Sequence, residues 1–163
     1  MRRAAALALA VLLAISLAGC GKGASKPERL PDITLQGFDG QPAVDLGTLK
    51  GPMAVNLWAS WCGPCKRELP IYADFARTYA GQVRVLGVDW QETIDASAKS
   101  LVARSKVTYP LAVDPDGKLR AIGLPKLILI DAQGKIAYQE YVEIKSAGQL
   151  QGLVQKHLGV SRP

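Results

Sequence analysis

Met53-Ala54-Val55-Asn56-Leu57-Trp58-Ala59-Ser60 runs straight into Trp61-Cys62-Gly63-Pro64-Cys65. The first eight residues are a nearly continuous apolar run of strand length, as expected for a strand buried on both faces. Past the second cysteine, Leu69, Tyr72, Ala73, Ala76 and Tyr79 recur at helical spacing until Gly81 stops them. Pro70 lies inside that helix, where a missing donor and a crowded preceding turn predict a kink. A buried strand thus delivers a C-x-x-C to the start of a helix.

Working outward, Ile33 to Phe38 and Ala43 to Leu46 bracket Asp39-Gly40 and read as an N-terminal β-hairpin. Leu49 to Pro52 is a turn. Val83 to Val88 is a second buried strand. Thr93 is the expected N-cap of a helix over Ile94 to Lys106, with Ile94, Ala98, Leu101 and Val102 on its inner face. Leu111 to Val113 reads as a short strand closed by the turn Asp114-Pro115-Asp116-Gly117. Leu127 to Ile130 and Ile136 to Tyr141 form a hairpin about Asp131 to Gly134, and Ser146 caps a last helix that Gly159 ends. The order predicts an α/β domain: a mixed sheet with helices on both faces.

The chemistry follows from where the cysteines stand. Free backbone N–H groups and the positive end of the helix dipole meet at Cys62 and favour its thiolate. A thiolate is the nucleophile of disulfide exchange, so Cys62 is expected to attack a partner disulfide and Cys65 to resolve the mixed disulfide. Pro64 is tolerated in the first helical turn, and two intervening residues let the sulfurs reach bonding distance.

The stretch Asn56 to Cys65, continued through Lys66-Arg67-Glu68-Leu69-Pro70 and the Ile128 to Gly134 hairpin, resembles the TlpA/ResA-like redoxins over about Pro31 to Leu158. That resemblance implies a three-layer thioredoxin-like fold acting outside the cytoplasm as a dithiol reductant of exported proteins' disulfides, apocytochrome c among them. It implies a membrane electron donor for re-reduction and a cis-proline at Leu124-Pro125 beside the catalytic pair. Lys126 follows that proline where the family usually has threonine, and the segment before it is shorter than usual. Glu68 matches a glutamate common near the family's active site; one turn past Cys65, it is either a proton relay or a solvated helix residue. Asn56 stands where cytoplasmic thioredoxins carry a buried aspartate and cannot act as a base. Trp58 and Trp61 read as packing and shielding residues, and Glu92 as a helix-start charge in preference to a residue facing a substrate groove.

At the N-terminus, Arg2 and Arg3 precede an apolar run from Ala4 to Leu17, too short for a comfortable mature span but suited to a secretory signal over residues 1–19. Leu17-Ala18-Gly19-Cys20 resembles a lipobox, implying lipid attachment at Cys20, and residues 20–31 read as a tether to a domain over 32–163. Lipidation also accounts for an odd cysteine count of 3, leaving one redox pair. The net charge of +6 is scattered without a dense basic run, which argues against nucleic acid as a partner.

No cofactor or metal is expected, because zinc would want four ligands and only Cys62, Cys65 and His157 remain, the last as a surface residue. A Sco-type copper chaperone would want C-x-x-x-C and a placed histidine. A peroxiredoxin would want Thr-x-x-Cys. An oxidase or isomerase of the same fold stays open, since direction depends on potential; the Gly63-Pro64 dipeptide, shared with thioredoxin, leans towards reduction.

Overall fold

The protein is described by a computed structural model covering residues 28–163; Cys20 and the signal segment lie outside the described residues. Seven strands, β1 Thr34–Gly37, β2 Val44–Asp45, β3 Met53–Trp58, β4 Arg84–Trp90, β5 Leu111–Asp114, β6 Lys126–Ile130 and β7 Ile136–Glu140, form one sheet. Its order is β2-β1-β5-β4-β3-β6-β7, with β3, β4 and β5 parallel and the remaining pairings antiparallel. The helices are α1 Gly63–Thr78, α2 Asp95–Arg104 and α3 Ala147–Leu158, with 3-10 turns at Phe38–Gly40 and Leu46–Thr48. This is the expected thioredoxin-like α/β class with a mixed sheet, but the expected helices on both faces are not found: all three described α-helices pack against one face.

Residues alternate between the two faces of the sheet, and each face has its own core. Ala54, Trp58, Val85, Leu111, Leu127 and Leu129 meet Leu69, Tyr72 and Phe75 of α1, Ala98 and Leu101 of α2, and Leu150 and Val154 of α3. Val55, Leu57, Leu86, Val88, Ala112 and Ile128 form the opposite face. That face is covered by Leu30, Leu35, Leu119 and Leu46, the last from a 3-10 turn, instead of an α-helix. The reason is handedness. The crossovers β3-α1-β4 and β4-α2-β5 step in the same direction across the sheet, and right-handed crossovers then lay both helices on one side.

Several local expectations need correction. β1 and β2 do pair, Thr34 opposite Asp45, but a 3-10 turn at Phe38–Gly40 replaces the tight Asp39-Gly40 turn, and β1 also pairs with β5. Thr93 does not cap α2: Ile94 holds that position without a side-chain bond, and Glu92 receives the N–H groups of Thr93 and Ile94. Ile94 is 58% exposed and not on the inner face. Pro70 lies inside α1 as expected, on its exposed side, and the helix continues to Thr78. Residues 28–31, placed in the tether by composition, pack on the domain: Leu30 is buried, and Ile136 N–H donates to the Glu28 carbonyl. One apolar side chain and one free strand edge were enough to recruit them.

The sheet also dictates one glycine. The Gly51 N–H donates to the Asp131 carbonyl at 2.7 Å, and a Cβ there would lie 1.8 Å from the Ile130 carbonyl oxygen. Only glycine lets the chain pass so close to β6.

Candidate functional site

β3 ends at Trp58, and Cys62 caps α1 with extended backbone angles while its sulfur accepts the Cys65 N–H at 3.2 Å. Four N–H groups at a helix start lack intrahelical partners, and this sulfur satisfies one of them. The two cysteines are joined as a disulfide, their Cα atoms 5.3 Å apart. Cys62 retains 5% exposure and Cys65 none, so solvent and partners meet the pair through Cys62. Gly63 and Pro64 form the first helical turn between them. Trp61, 49% exposed, stands beside the pair with its indole N–H donating to the Gln91 carbonyl at 3.0 Å.

Two carboxylates anchor the surroundings. Glu92 receives the Ser60 N–H at 2.6 Å on one oxygen and the Thr93 and Ile94 N–H groups on the other. Burial works against its charge, but the hydrogen bonds from Ile94, Ser60 and Thr93 outweigh it and hold its pKa below the ordinary value. Its helix-start role therefore extends to the loop that carries the cysteines.

Glu68 is not a solvated helix residue. It is fully buried on the same side of α1 as Cys65, and one carboxylate oxygen receives the Ile144 N–H at 2.9 Å. Burial pushes its pKa up to about 8; the Ile144 N–H opposes this, the charge of Glu143 adds to it, and the Asn56 carboxamide opposes it. Asn56 is itself buried in β3, and neither polar atom of its carboxamide has a partner at hydrogen-bonding distance. On the outer side of α1, Arg67 forms a two-bond ion pair with Glu143 at 2.8 and 3.0 Å. Consecutive helix residues therefore grip consecutive residues of the 141–146 loop, one from outside and one from within.

The Leu124-Pro125 bond is cis, as is Gly51-Pro52. Pro125 is buried and immediately precedes β6, whose Lys126 pairs with Leu57 of β3. The proline therefore sits at the end of the sheet from which the cysteines project. The cation of Lys126 lies 5.1 Å from the ring centre of Tyr141. His157 stacks on Tyr138 with ring centres 4.3 Å apart, more packed than a surface position.

Sequence reasoning missed Asp89. It lies on the helix-covered face of β4, is 3% exposed, and has one carboxylate oxygen without a partner. Its only signal was an acid at the end of an otherwise apolar strand. Burial, then the charges of Glu92 and Asp95, push its pKa up to about 8.

A closed C-x-x-C at a helix start, set at one end of a mixed sheet, defines a thiol–disulfide oxidoreductase of thioredoxin-like fold. The chain belongs to the AhpC/TSA family, whose profile matches residues 27–139. It is similar to the thiol-disulfide oxidoreductase ResA of Bacillus anthracis, 30% identical over 132 residues that cover 77% of this chain and 75% of that protein. It is also similar to the thiol:disulfide interchange protein CycY of Rhizobium leguminosarum bv. viciae, 28% identical over 118 residues, 69% of this chain and 62% of that one. A crystal structure of a thiol:disulfide interchange protein of Chlorobium tepidum shares the fold, with a TM-score of 0.70 at 22% identity, covering 83% of this chain and 99% of that one.

Proposed function

We propose that this oxidoreductase runs in the reducing direction on disulfides of exported proteins, tethered to a membrane through a lipidated Cys20. The observation that carries the reading is the sulfur of Cys62 seated as the N-cap of α1 and bonded to the more deeply buried Cys65. In the reduced enzyme the Cys62 thiolate attacks one sulfur of a substrate disulfide, and the other substrate sulfur leaves as thiolate and takes a proton. Cys65, losing its proton, then attacks Cys62 and expels the first substrate sulfur. Two electrons pass to the substrate, and the Cys62–Cys65 bond closes.

Glu68 is the residue suited to exchange a proton with Cys65. It stands three residues on, and burial keeps its pKa within the working range of a general base. Asn56 tempers that carboxyl, Gly63 and Pro64 shape the turn, Trp61 shields the pair, and Pro125 offers its neighbours' backbone to the substrate chain. The domain follows a signal at residues 1–19 and a tether that ends before Glu28. Exported apocytochrome c is one substrate of the right chemistry, and a membrane dithiol carrier would restore the pair. No described helix is long and apolar enough to cross a membrane.

Equilibration with glutathione or dithiothreitol buffers gives the midpoint potential. The reductant reading expects a value nearer thioredoxin's roughly −270 mV than DsbA's roughly −120 mV. A potential more oxidising than about −180 mV, the range of protein disulfide isomerase, would reverse the direction.

A further inference from the structure

Beside the cysteine loop lies a cleft of about 450 Å³ between the Phe38–Gly40 turn, the ends of β4 and β5, and the start of α2. Its lining carries four acids, Asp39, Asp89, Glu92 and Asp95, against one base, Lys99. In a chain with 20 basic and 14 acidic side chains, that concentration runs against the overall charge.

The acids are not equivalent. Asp39 is taken by Lys99 at 2.6 Å, and both oxygens of Glu92 are taken by backbone N–H groups. Asp95 has no ion-pair partner among the described residues. Asp89 also lines the cleft; it is 3% exposed, and one of its carboxylate oxygens is buried without a partner. An unsatisfied buried carboxyl is costly, and a cationic donor entering the cleft would remove that cost. Apolar walls from Phe38 and Val113 suit the aliphatic stem of a long side chain. Among the described residues, no group of three or more His, Cys, Asp or Glu is arranged to hold a metal ion, which favours a cationic head on a stem.

The cleft is coupled to the redox pair. Glu92, in its wall, receives the N–H of Ser60, and Ser60 precedes Cys62 by two residues, a reach of no more than about 7 Å. We infer that this cleft is a specificity subsite that takes a lysine or arginine side chain located within a few residues of the substrate's disulfide cysteine. The inference rests on the exchange reading above and adds the substrate feature that the enzyme selects. Asp89 supplies the buried anion, Asp95 the rim charge, and Glu92 joins the subsite to the cysteine loop. Asp89, held neutral by its surroundings, gives up its proton when the cation arrives.

Two measurements on the full chain test it. In the first, the reduced protein acts on cyclic peptide disulfides that differ only in carrying lysine or norleucine beside one cysteine. The lysine peptide should have kcat/KM higher on the order of tenfold, the effect of one charge-assisted hydrogen bond in a partly buried site. The ratio should fall to near one in Asp89→Asn and shrink in Asp95→Asn. Because it is taken within each variant, losses common to both peptides cancel. A ratio near one in the unaltered protein, or a ratio retained in Asp89→Asn, overturns the inference.

In the second, the oxidised protein is titrated with the lysine peptide bearing serine for cysteine, and amide shifts of residues 89, 92 and 95 are followed. Saturable shifts support the subsite, and their absence overturns it whatever the exchange rates. Saturable shifts without any exchange by the reduced protein count against the oxidoreductase reading alone.

Discussion

Replacing Glu68 by Gln isolates the energetic consequence of a carboxyl buried behind the disulfide. In the unfolded chain this group ionises near its ordinary 4.5, whereas in the fold it stays protonated until about 8. Between those values the native state binds one proton more than the unfolded state, so the stability of the unaltered protein falls as pH rises. Integrated across that span, the loss approaches about 5 kcal/mol above pH 8. Glutamine keeps an oxygen for the Ile144 N–H and cannot ionise, so Glu68→Gln should escape the fall. Denaturant unfolding of both proteins in the oxidised state, where neither cysteine titrates, at about pH 5 and about pH 9 measures the difference. The curves should lie close in acid and separate by several kcal/mol in base, with the variant more stable. Asp89 shifts in the same direction but is common to both proteins and cancels. Parallel pH dependences would show that Glu68 is solvated or already ionised in the fold, and the reasoning about its burial would be wrong.

Cys62→Ser should abolish reduction of a protein disulfide such as insulin's, while Cys65→Ser should accumulate mixed disulfides visible on non-reducing gels; activity surviving in Cys62→Ser would refute the mechanism. Glu92→Gln should lower stability by on the order of 2 kcal/mol by weakening three charge-assisted bonds, one of them to Ser60. Because the Glu92 pKa is held below its ordinary 4.5, that stabilisation is complete above 4.5 and is lost as pH falls through the folded value. The gap between the two proteins in denaturant midpoint should therefore close in acid; a gap that persists there would mean that the bonds do not depend on charge.

Much of the fold was readable because its signals are local. The apolar run before Cys62 and the helical spacing after Cys65 correspond to β3 and α1 within a residue or two. Ser146 does cap α3, its hydroxyl accepting the Gln149 N–H, and Gly159 ends that helix in a left-handed conformation. The start of α2 was misread because Thr93 fits a capping preference, while the acceptor actually used sits one residue earlier and also serves Ser60. Composition likewise misplaced residues 28–31, since nothing near them in sequence announces the β7 edge that the Glu28 carbonyl meets.

The sequence by itself determined the redox centre: two cysteines three positions apart at a strand-to-helix junction must share the first helical turn, so their proximity is a property of the local chain. Tertiary structure decided what surrounds them. Glu68 became a buried carboxyl because Ile144, 76 residues away, returns its N–H to it. Asp39, Asp89 and Asp95 came to one cleft through the pairing of β1 with β5 and of β5 with β4. Charge state and solvent access depend on which distant segments exclude water, and chain closure across the sheet sets those contacts.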